Sequence, residues 1–272
     1  ILDKIEQIQP DIIHFEEMPE LFNITDDITN EIYDKNRTYK IFETSHDSSF
    51  EPASKRFYPD KFLFCSDNQL LKFRSIDTPA CVIEYPEYNY RRKNRDDGLK
   101  ELGLDPNYKH VLNVGLFTSR KNQGEIFHYA NILKDEKIQF HFVGNQAPNF
   151  ENYWKPLMEN KPDNCIIWGE RSDVENFYSC MDLFLFTSRG HAGDKVLKEA
   201  LSWNIPILMH KIDSYLDKYD KKATFLSTNT DINHFKILHS LGISSDEINC
   251  EVQEDLRINL SFSDRAFEKL SD

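Results

Sequence analysis

Two short runs decide the fold: His110-Val111-Leu112-Asn113-Val114-Gly115 and Gln139-Phe140-His141-Phe142-Val143-Gly144. Each is a mostly apolar run of strand length that ends in a glycine, and the intervening residues 122–134 predict a helix. Two such strands connected by a helix are typical of a parallel βαβ unit whose sheet is covered on both faces. The stretch 110–144 therefore predicts an α/β fold with a parallel sheet.

The same alternation continues toward the carboxyl terminus. Three more apolar runs predict strands, at 165–169, 182–187 and 205–209. Helices are predicted between them, near 150–159, 173–180 and 194–202. Five strand and helix pairs in about 100 residues describe a complete doubly wound domain. We assign this domain to residues 108–260.

Toward the amino terminus the alternation is shorter. A helix is predicted at 1–8, a helical stretch near 20–35, and strands at 11–15, 39–44, 61–66 and 80–85. Residues 1–90 therefore predict a partial Rossmann-like domain. The charged run that begins at Arg91 predicts a linker with a short helix over 91–107. The last residues, 261–272, predict a helix that could pack back on the first domain.

Composition limits the function. The chain has 272 residues, a net charge of −13 and 39% hydrophobic residues, which is typical of a globular protein. Its longest apolar stretches are far shorter than the roughly 20 residues that cross a bilayer. We expect no membrane span, and the negative charge opposes general binding to nucleic acid, although a local basic pocket could hold one anion.

The cysteines predict a reducing environment. Five cysteines are scattered along the chain without a C-x-x-C pair, so we expect a cytoplasmic protein. Ile1 already belongs to a helical apolar pattern, which suggests that the sequence begins inside a longer gene product. An exposed sheet edge in a partial first domain would favour self-association or pairing with a missing segment.

The chemistry is expected beyond the carboxyl ends of the strands, where ligands bind in open parallel sheets. In the second domain these positions are 115–121, 144–146, 169–171 and 188–194, and glycines recur among them. Arg120 and Lys121 lie at the start of a helix, where two cations and helical N–H groups suit a diphosphate. The alternative is a solvated basic pair.

Two further residues are candidates. Glu199 lies on a predicted helix beside an apolar face, where it could bind the hydroxyls of a ribose or be a surface carboxylate. His46 follows a strand of the first domain and could hydrogen-bond a polar ligand or have a structural role. The nine histidines show no spacing typical of metal ligands, so no metal is expected.

The order of these segments resembles a known family. The runs Val111–Gly115, Arg120–Gln123, Phe142–Asn145, Ile167–Tyr178, Met181–Ser188 and Lys198–Ile207 together resemble the donor-binding domain of GT-B glycosyltransferases, close to the retaining family 4 (group 1) enzymes. The resemblance covers 108–210, and residues 10–90 resemble part of the family's first domain. It implies two Rossmann-like domains with parallel sheets facing across a cleft, the first one incomplete.

The resemblance implies an activity and assigns roles. It implies sugar transfer from a nucleotide diphosphate sugar to a hydroxyl of a glycan, lipid-linked or other acceptor, with retention and without metal or another cofactor. Arg120 and Lys121 would neutralise the leaving diphosphate, where charge develops in the transition state. Glu199 would hold the ribose, and His46 would approach the donor sugar. The remaining donor contacts would come from Gly115, Gly144, Asn145, Gly169, Glu170, Arg171, His191 and Gly193.

One position departs from the family's pattern. The family has paired glutamates, and His191 stands where the first of them is expected, eight positions before Glu199. This change and the short first domain favour an alternative, a catalytically weak nucleotide-sugar-binding or scaffolding module of a larger glycosyltransferase. A third reading is another GT-B enzyme, such as a nucleotide-sugar epimerase. Donor turnover without acceptor, or binding without turnover, would separate them.

Overall fold

The computed structural model describes residues 1–22, 24–46, 50–83, 93–189, 195–212 and 219–243. Strands and helices alternate along these residues, and the strands form two parallel sheets. The two sheets belong to two separate compact units of the chain. The predicted α/β class with parallel sheets is therefore confirmed. None of the described helices has the length and apolar character needed to cross a bilayer.

The first unit is built on a four-stranded sheet in the order β1-β2-β3-β4. All of its strand pairs are parallel, so the carboxyl ends of β1, β2 and β3 meet at one edge. This edge carries His46, which follows β2 directly. The elements are α1 (Leu2–Ile8), β1 (Ile12–Phe15), α2 (Asp26–Ile32), β2 (Lys40–Ser45), β3 (Lys61–Phe64), α3 (Asp67–Lys72) and β4 (Ala80–Val82).

Aromatic side chains form the core of the first unit. The rings of Phe62 and Phe64 stack at 5.4 Å, and Phe73 of the following segment lies 4.9 Å from Phe64. All three are buried, as are Met18 and Phe50. Each buried ring contributes about 2–3 kcal/mol to folding. This core fixes β3 and thereby the edge beside His46.

The second unit has a six-stranded sheet in the order β10-β9-β8-β5-β6-β7. The chain passes from β5 to β6 on one side and later places β8 on the other side of β5. The strand order therefore reverses between β5 and β8, and such a reversal is where open α/β sheets bind ligands. The elements are α4 (Arg95–Leu102), β5 (Lys109–Val114), α5 (Gln123–Ile132), β6 (Ile138–Val143), α6 (Glu151–Glu159), β7 (Cys165–Gly169), α7 (Val174–Cys180), β8 (Leu183–Phe186), α8 (Lys195–Ser202), β9 (Ile207–Met209), β10 (Thr224–Phe225) and α9 (Asn233–Ser240).

Both faces of the second sheet are covered. In β8, Phe184 and Phe186 pack into one cluster with Phe177 of α7, while Leu183 and Leu185 pack into the cluster on the opposite face. A strand buried on both faces needs apolar residues at every position, which explains the uninterrupted run in the sequence. The aromatic residues expected in the core, Phe140, Phe142, Phe177, Phe184 and Phe186, are all buried.

A polar chain crosses the interior near β7. The indole N–H of Trp168 donates to Nδ1 of His141 at 3.1 Å, so His141 carries its proton on Nε2 and donates it to Nδ1 of His110 at 3.0 Å. His110 in turn donates from Nε2 to the carbonyl oxygen of Asp105. Every ring nitrogen thus has a partner, and both imidazoles are neutral. Burial lowers the pKa of His141 to about 3.

The predicted linker, 91–107, contains a packed helix. The side chain of Asn94 caps α4 by accepting from the amide of Asp97, and Leu99 and Leu102 are buried in the second unit. Gly98 faces α7 so closely that a Cβ there would lie 2.8 Å from the carbonyl oxygen of Asn176. The charge run alone predicted solvation, but Leu99 and Leu102, which follow it, join the core of the second unit. The predicted helix at 261–272 lies outside the described residues.

Candidate functional site

Lys121 lies beyond the carboxyl end of β5, beside the point where the strand order reverses. Its Nζ is 5.3 Å from the centre of the Phe186 ring, and its aliphatic part runs along Gly115. Burial, together with the positive charge of Arg120, lowers the pKa of Lys121 to about 8. Among the described residues no carboxylate pairs with this ammonium group. The site therefore holds a partly desolvated cation that an anion would stabilise.

Arg120 is placed differently from its neighbour. Its side chain is exposed, while its carbonyl oxygen accepts from the amide of Arg189 at 2.9 Å and from Oγ of Ser188 at 3.3 Å. The residues after β8 thus hold the backbone at Arg120 and leave the guanidinium in solvent. The predicted basic pair consists of one half-buried and one exposed cation.

The amino terminus of α5 is partly occupied within the protein. The amide of Gly124 donates to the hydroxyl of Tyr153 at 3.1 Å, and that hydroxyl contacts Oε1 of Gln123 at 3.3 Å. One helical N–H group is therefore unavailable to a ligand.

Of the three glycines at the strand ends, Gly144 has a packing role. Gly115 donates to the carbonyl oxygen of Val143, and Gly144 donates to that of Gly169. Gly144 has φ 149°, and a Cβ there would lie 2.1 Å from the carbonyl oxygen of Gly115. Only glycine avoids this clash. The exposed Asn145 accepts from the amide of Phe117. Contacts of these three glycines and Asn145 with the nucleotide sugar remain a prediction.

Glu199 is a buried carboxylate on α8, with 7% of its surface exposed. The hydroxyl of Tyr178 donates to its Oε2 at 2.8 Å, and Nζ of Lys195 lies 3.9 Å from its Oε1. The alternative of a plain surface carboxylate is therefore wrong. Its predicted contact with a ribose stays a prediction.

Arg171 is engaged at the end of β7. It forms two hydrogen bonds of 2.7 Å with Asp173 and lies over Trp168, with 5.5 Å from the guanidinium carbon to the ring centre. The hydrogen bond from Arg171 lowers the pKa of Asp173 to about 2. Glu170 is exposed. A ligand that used the Arg171 side chain would have to compete with Asp173, so backbone groups are better placed to meet a nucleobase here.

His46 belongs to the first unit. Its Nδ1 is 3.5 Å from Sγ of Cys65, its Nε2 is 3.4 Å from a carboxylate oxygen of Glu16, and its amide donates to Glu17. His191 and Gly193 lie outside the described residues. In the part of the chain that the structure describes, no group of three histidine, cysteine or acidic side chains could hold a metal ion.

A buried carboxylate that the sequence reasoning missed lies four positions after Lys121 in the chain. Glu125 of α5 accepts hydrogen bonds from the side chains of Asn122, Tyr129, His210 and Arg189. Burial raises its pKa, but the hydrogen bonds from His210 and Tyr129 outweigh this effect and leave the pKa below its ordinary value. Two signals could have found it: the Asn-x-x-Glu spacing of a helix start, and polar residues directly after β8 and β9.

The sequence is similar to those of known proteins. Residues 108–236 match the family model described as glycosyl transferases group 1. The chain is 25% identical over 162 residues to a processive diacylglycerol alpha-glucosyltransferase of Acholeplasma laidlawii, covering 58% of this chain and 48% of that protein. It is 30% identical over 124 residues to an alpha-galactosylglucosyldiacylglycerol synthase of Streptococcus pneumoniae, covering 42% of this chain and 32% of that protein. The chain thus spans half or less of these relatives.

Solved structures share the fold. Anabaena HepE in complex with UDP-glucose matches with a TM-score of 0.70 at 15% identity, over 99% of this chain and 81% of that one. WaaG, a glycosyltransferase of lipopolysaccharide biosynthesis, matches with a TM-score of 0.66 at 15% identity, over 97% and 76%. The chain therefore has the GT-B fold, and the region that matches the group 1 family model lies in its second unit.

Proposed function

We propose that this chain is a glycosyltransferase that binds a nucleotide diphosphate sugar and transfers the sugar to an acceptor hydroxyl. The proposed donor site lies at the carboxyl ends of the neighbouring strands β5 and β8 in the second unit, and we call this place the β5–β8 edge. The observation that carries the proposal is Lys121, a half-buried ammonium group without a carboxylate partner among the described residues. It lies where the strand order reverses, within the region that matches the group 1 family. A diphosphate would supply an anion for this cation.

The proposed reaction breaks the bond between the anomeric carbon and the diphosphate. Negative charge then develops on the leaving phosphate oxygen, and a preorganised cation stabilises it more than it stabilises the neutral glycosidic oxygen of the donor. Lys121 is preorganised by its packing against Phe186, and Arg120 adds a second, mobile positive charge. The acceptor oxygen bonds to the anomeric carbon, and its proton passes to the leaving diphosphate. Retention and independence from metal are part of the proposal.

Two residues would orient the ligand. Glu199, held by Tyr178, would accept hydrogen bonds from the ribose hydroxyls. In the first unit, His46 would hydrogen-bond the sugar or the acceptor through its imidazole. The Anabaena structure contains UDP-glucose, which makes UDP the first nucleotide to test. The two relatives are named for diacylglycerol glycolipids, which makes a lipid-linked hydroxyl the first acceptor to test. The cytoplasmic location remains a proposal from the cysteine pattern.

Calorimetric titration with UDP, GDP, ADP, CMP and dTDP tests the donor site. We expect one diphosphate to bind selectively, and Lys121→Met to weaken it by roughly 10- to 100-fold, since a hydrogen bond to a charged group contributes about 1.5–3 kcal/mol. Arg120→Ala and Glu199→Ala should each weaken binding as well. The matched control is Lys134→Met, an exposed lysine of the same unit. Absence of binding, or equal affinity of Lys121→Met and the unchanged chain, would overturn the proposal.

A second titration separates transfer from binding alone. The nucleotide sugar that corresponds to the best diphosphate is incubated with and without a lipid-linked acceptor, and free nucleotide and glycosylated product are quantified. Product formation that depends on acceptor supports the transferase. Tight binding without any release of nucleotide would instead support the alternative of a nucleotide-sugar-binding module.

A further inference from the structure

The carboxylate of Glu125 is the meeting point of four side chains from three parts of the second unit. Its Oε1 accepts from the hydroxyl of Tyr129, and its Oε2 faces Nε2 of His210 at 2.9 Å, a guanidinium nitrogen of Arg189 at 3.4 Å and Nδ2 of Asn122. Its side chain is 6% exposed. We name these five residues the Glu125 network.

Only an ionised carboxylate satisfies the Glu125 network. All four partners approach as donors, and a carboxylate has acceptor positions on both oxygens, whereas a carboxamide would present an NH₂ group to one side. The hydroxyl of Tyr129 also accepts from Nδ2 of Asn233 at 2.9 Å, so its own proton is directed toward Glu125. The cationic guanidinium of Arg189 adds to the stabilisation of the charge.

The network connects to Lys121 through the next residue. Asn122 has φ 57°, in the left-handed region, and its side chain is held by Glu125. Its carbonyl oxygen and that of Lys121 both accept from Oγ1 of Thr187, each at 3.1 Å. The backbone direction on the carboxyl side of Lys121 is therefore fixed from two sides, by Glu125 and by Thr187.

We propose that Glu125 is a positioning residue, which acts through Asn122 to hold the Lys121 ammonium group at the β5–β8 edge for an anionic ligand. The identity of that ligand as a diphosphate rests on the function proposed above, whereas the positioning itself does not. Glu125 does not touch the ligand. Its loss frees Asn122 from the left-handed conformation, which is unfavourable for most residues, and allows Lys121 to turn toward solvent.

Competitive labelling of lysines measures this effect directly. The chain is acetylated with trace acetic anhydride between pH 6.5 and 11, and mass spectrometry gives the titration midpoint of each lysine. Lys121 should titrate near pH 8 in the unchanged chain, because burial lowers its pKa. In Glu125→Ala the midpoint should rise by about one pH unit or more, toward the ordinary value of a solvated lysine. Glu151→Gln, an exposed carboxylate on α6, is the matched control.

A second variant keeps the test decisive if Glu125→Ala does not fold. Asn122→Ala removes the amide that links Lys121 to Glu125 and places at this position a residue for which positive φ is unfavourable. It should raise the Lys121 midpoint in the same way while Lys134 titrates unchanged. A folded Asn122→Ala or Glu125→Ala chain in which Lys121 still titrates near pH 8 would overturn the positioning role.

Nucleotide affinity, measured on the same variants, separates the two proposals. If the unchanged chain binds no diphosphate but the Lys121 midpoint shifts in the variants, the proposed function fails and the positioning role stands. If the diphosphate binds and both variants retain wild-type affinity and wild-type Lys121 titration, the proposed function stands and the positioning role is wrong. We expect both to hold, with the variants about tenfold weaker in binding.

Discussion

Raising the pH should weaken diphosphate binding well below the pH at which lysines ordinarily lose their charge. Burial next to Phe186, together with the nearby charge of Arg120, lowers the pKa of Lys121 from 10.5 to about 8 in the free protein. A bound diphosphate favours the ammonium form, so the complex retains the proton. Binding above pH 8 must therefore take up a proton, and the affinity falls as the proton becomes scarce.

The size of the effect follows from the pKa of about 8. At pH 7 about nine-tenths of Lys121 is protonated, and at pH 9.5 only about 3% is. The dissociation constant should therefore rise roughly 30-fold between these two values, which corresponds to about 2 kcal/mol of binding free energy. A lysine with the ordinary pKa would change the affinity by only about 10% over the same interval.

The assay is calorimetric titration at five pH values from 7 to 9.5, at constant ionic strength, with the diphosphate that binds best. The control is Lys121→Arg, whose guanidinium remains protonated throughout this range. Both proteins meet the same nucleotide, so titration of the nucleotide cancels in the ratio of their dissociation constants. That ratio should change about 30-fold for the reason given above. If the dissociation constants of the wild type and of Lys121→Arg changed with pH in parallel, the reasoning that Lys121 is the desolvated cation of the site would be refuted.

Three further predictions concern the second unit. His141 is buried as a neutral acceptor of the Trp168 N–H, and its pKa is lowered from 6.5 to about 3. Below pH 6.5 His141 becomes protonated in the unfolded chain but not in the folded chain. The free energy of unfolding should therefore decrease as the pH is lowered, by about 2 kcal/mol at pH 5. Urea denaturation measures this loss of stability. Most of the loss should be absent in His141→Gln, whereas His128→Gln, which changes an exposed histidine, should retain it. Gly144→Ala should destabilise the unit by roughly 2 kcal/mol or more, because its Cβ would meet the carbonyl oxygen of Gly115 at 2.1 Å. Gly124→Ala, whose nearest neighbour is the end of the Leu157 side chain, should leave the thermal midpoint close to wild type; equal losses in the two variants would contradict the packing argument. Tyr178→Phe should weaken nucleotide binding several-fold, since Glu199 loses a donor that contributes about 1 kcal/mol, and unchanged calorimetric affinity would exclude this orienting role.

The sequence by itself determined the alternation of strands and helices. Strands buried on both faces need continuous apolar runs, as in Leu183–Phe186, and helices need apolar residues at a different spacing, so the two patterns are legible without any tertiary contact. The glycines at the ends of β5, β6 and β7 marked the carboxyl edge of the sheet. Together with the rule that ligands bind at this edge, they placed Arg120 and Lys121 at the candidate site.

Only the tertiary structure decided what each of these residues is for. Adjacent in sequence, Arg120 and Lys121 differ in burial because Phe186, more than sixty positions away, covers one and not the other. Glu125 looked like an ordinary helical carboxylate until the segments after β8 and β9 brought Arg189 and His210 to it. Burial, partner identity and pKa are properties of contacts between distant segments. A local pattern specifies which element forms, whereas the packing of the sheet decides which charges meet.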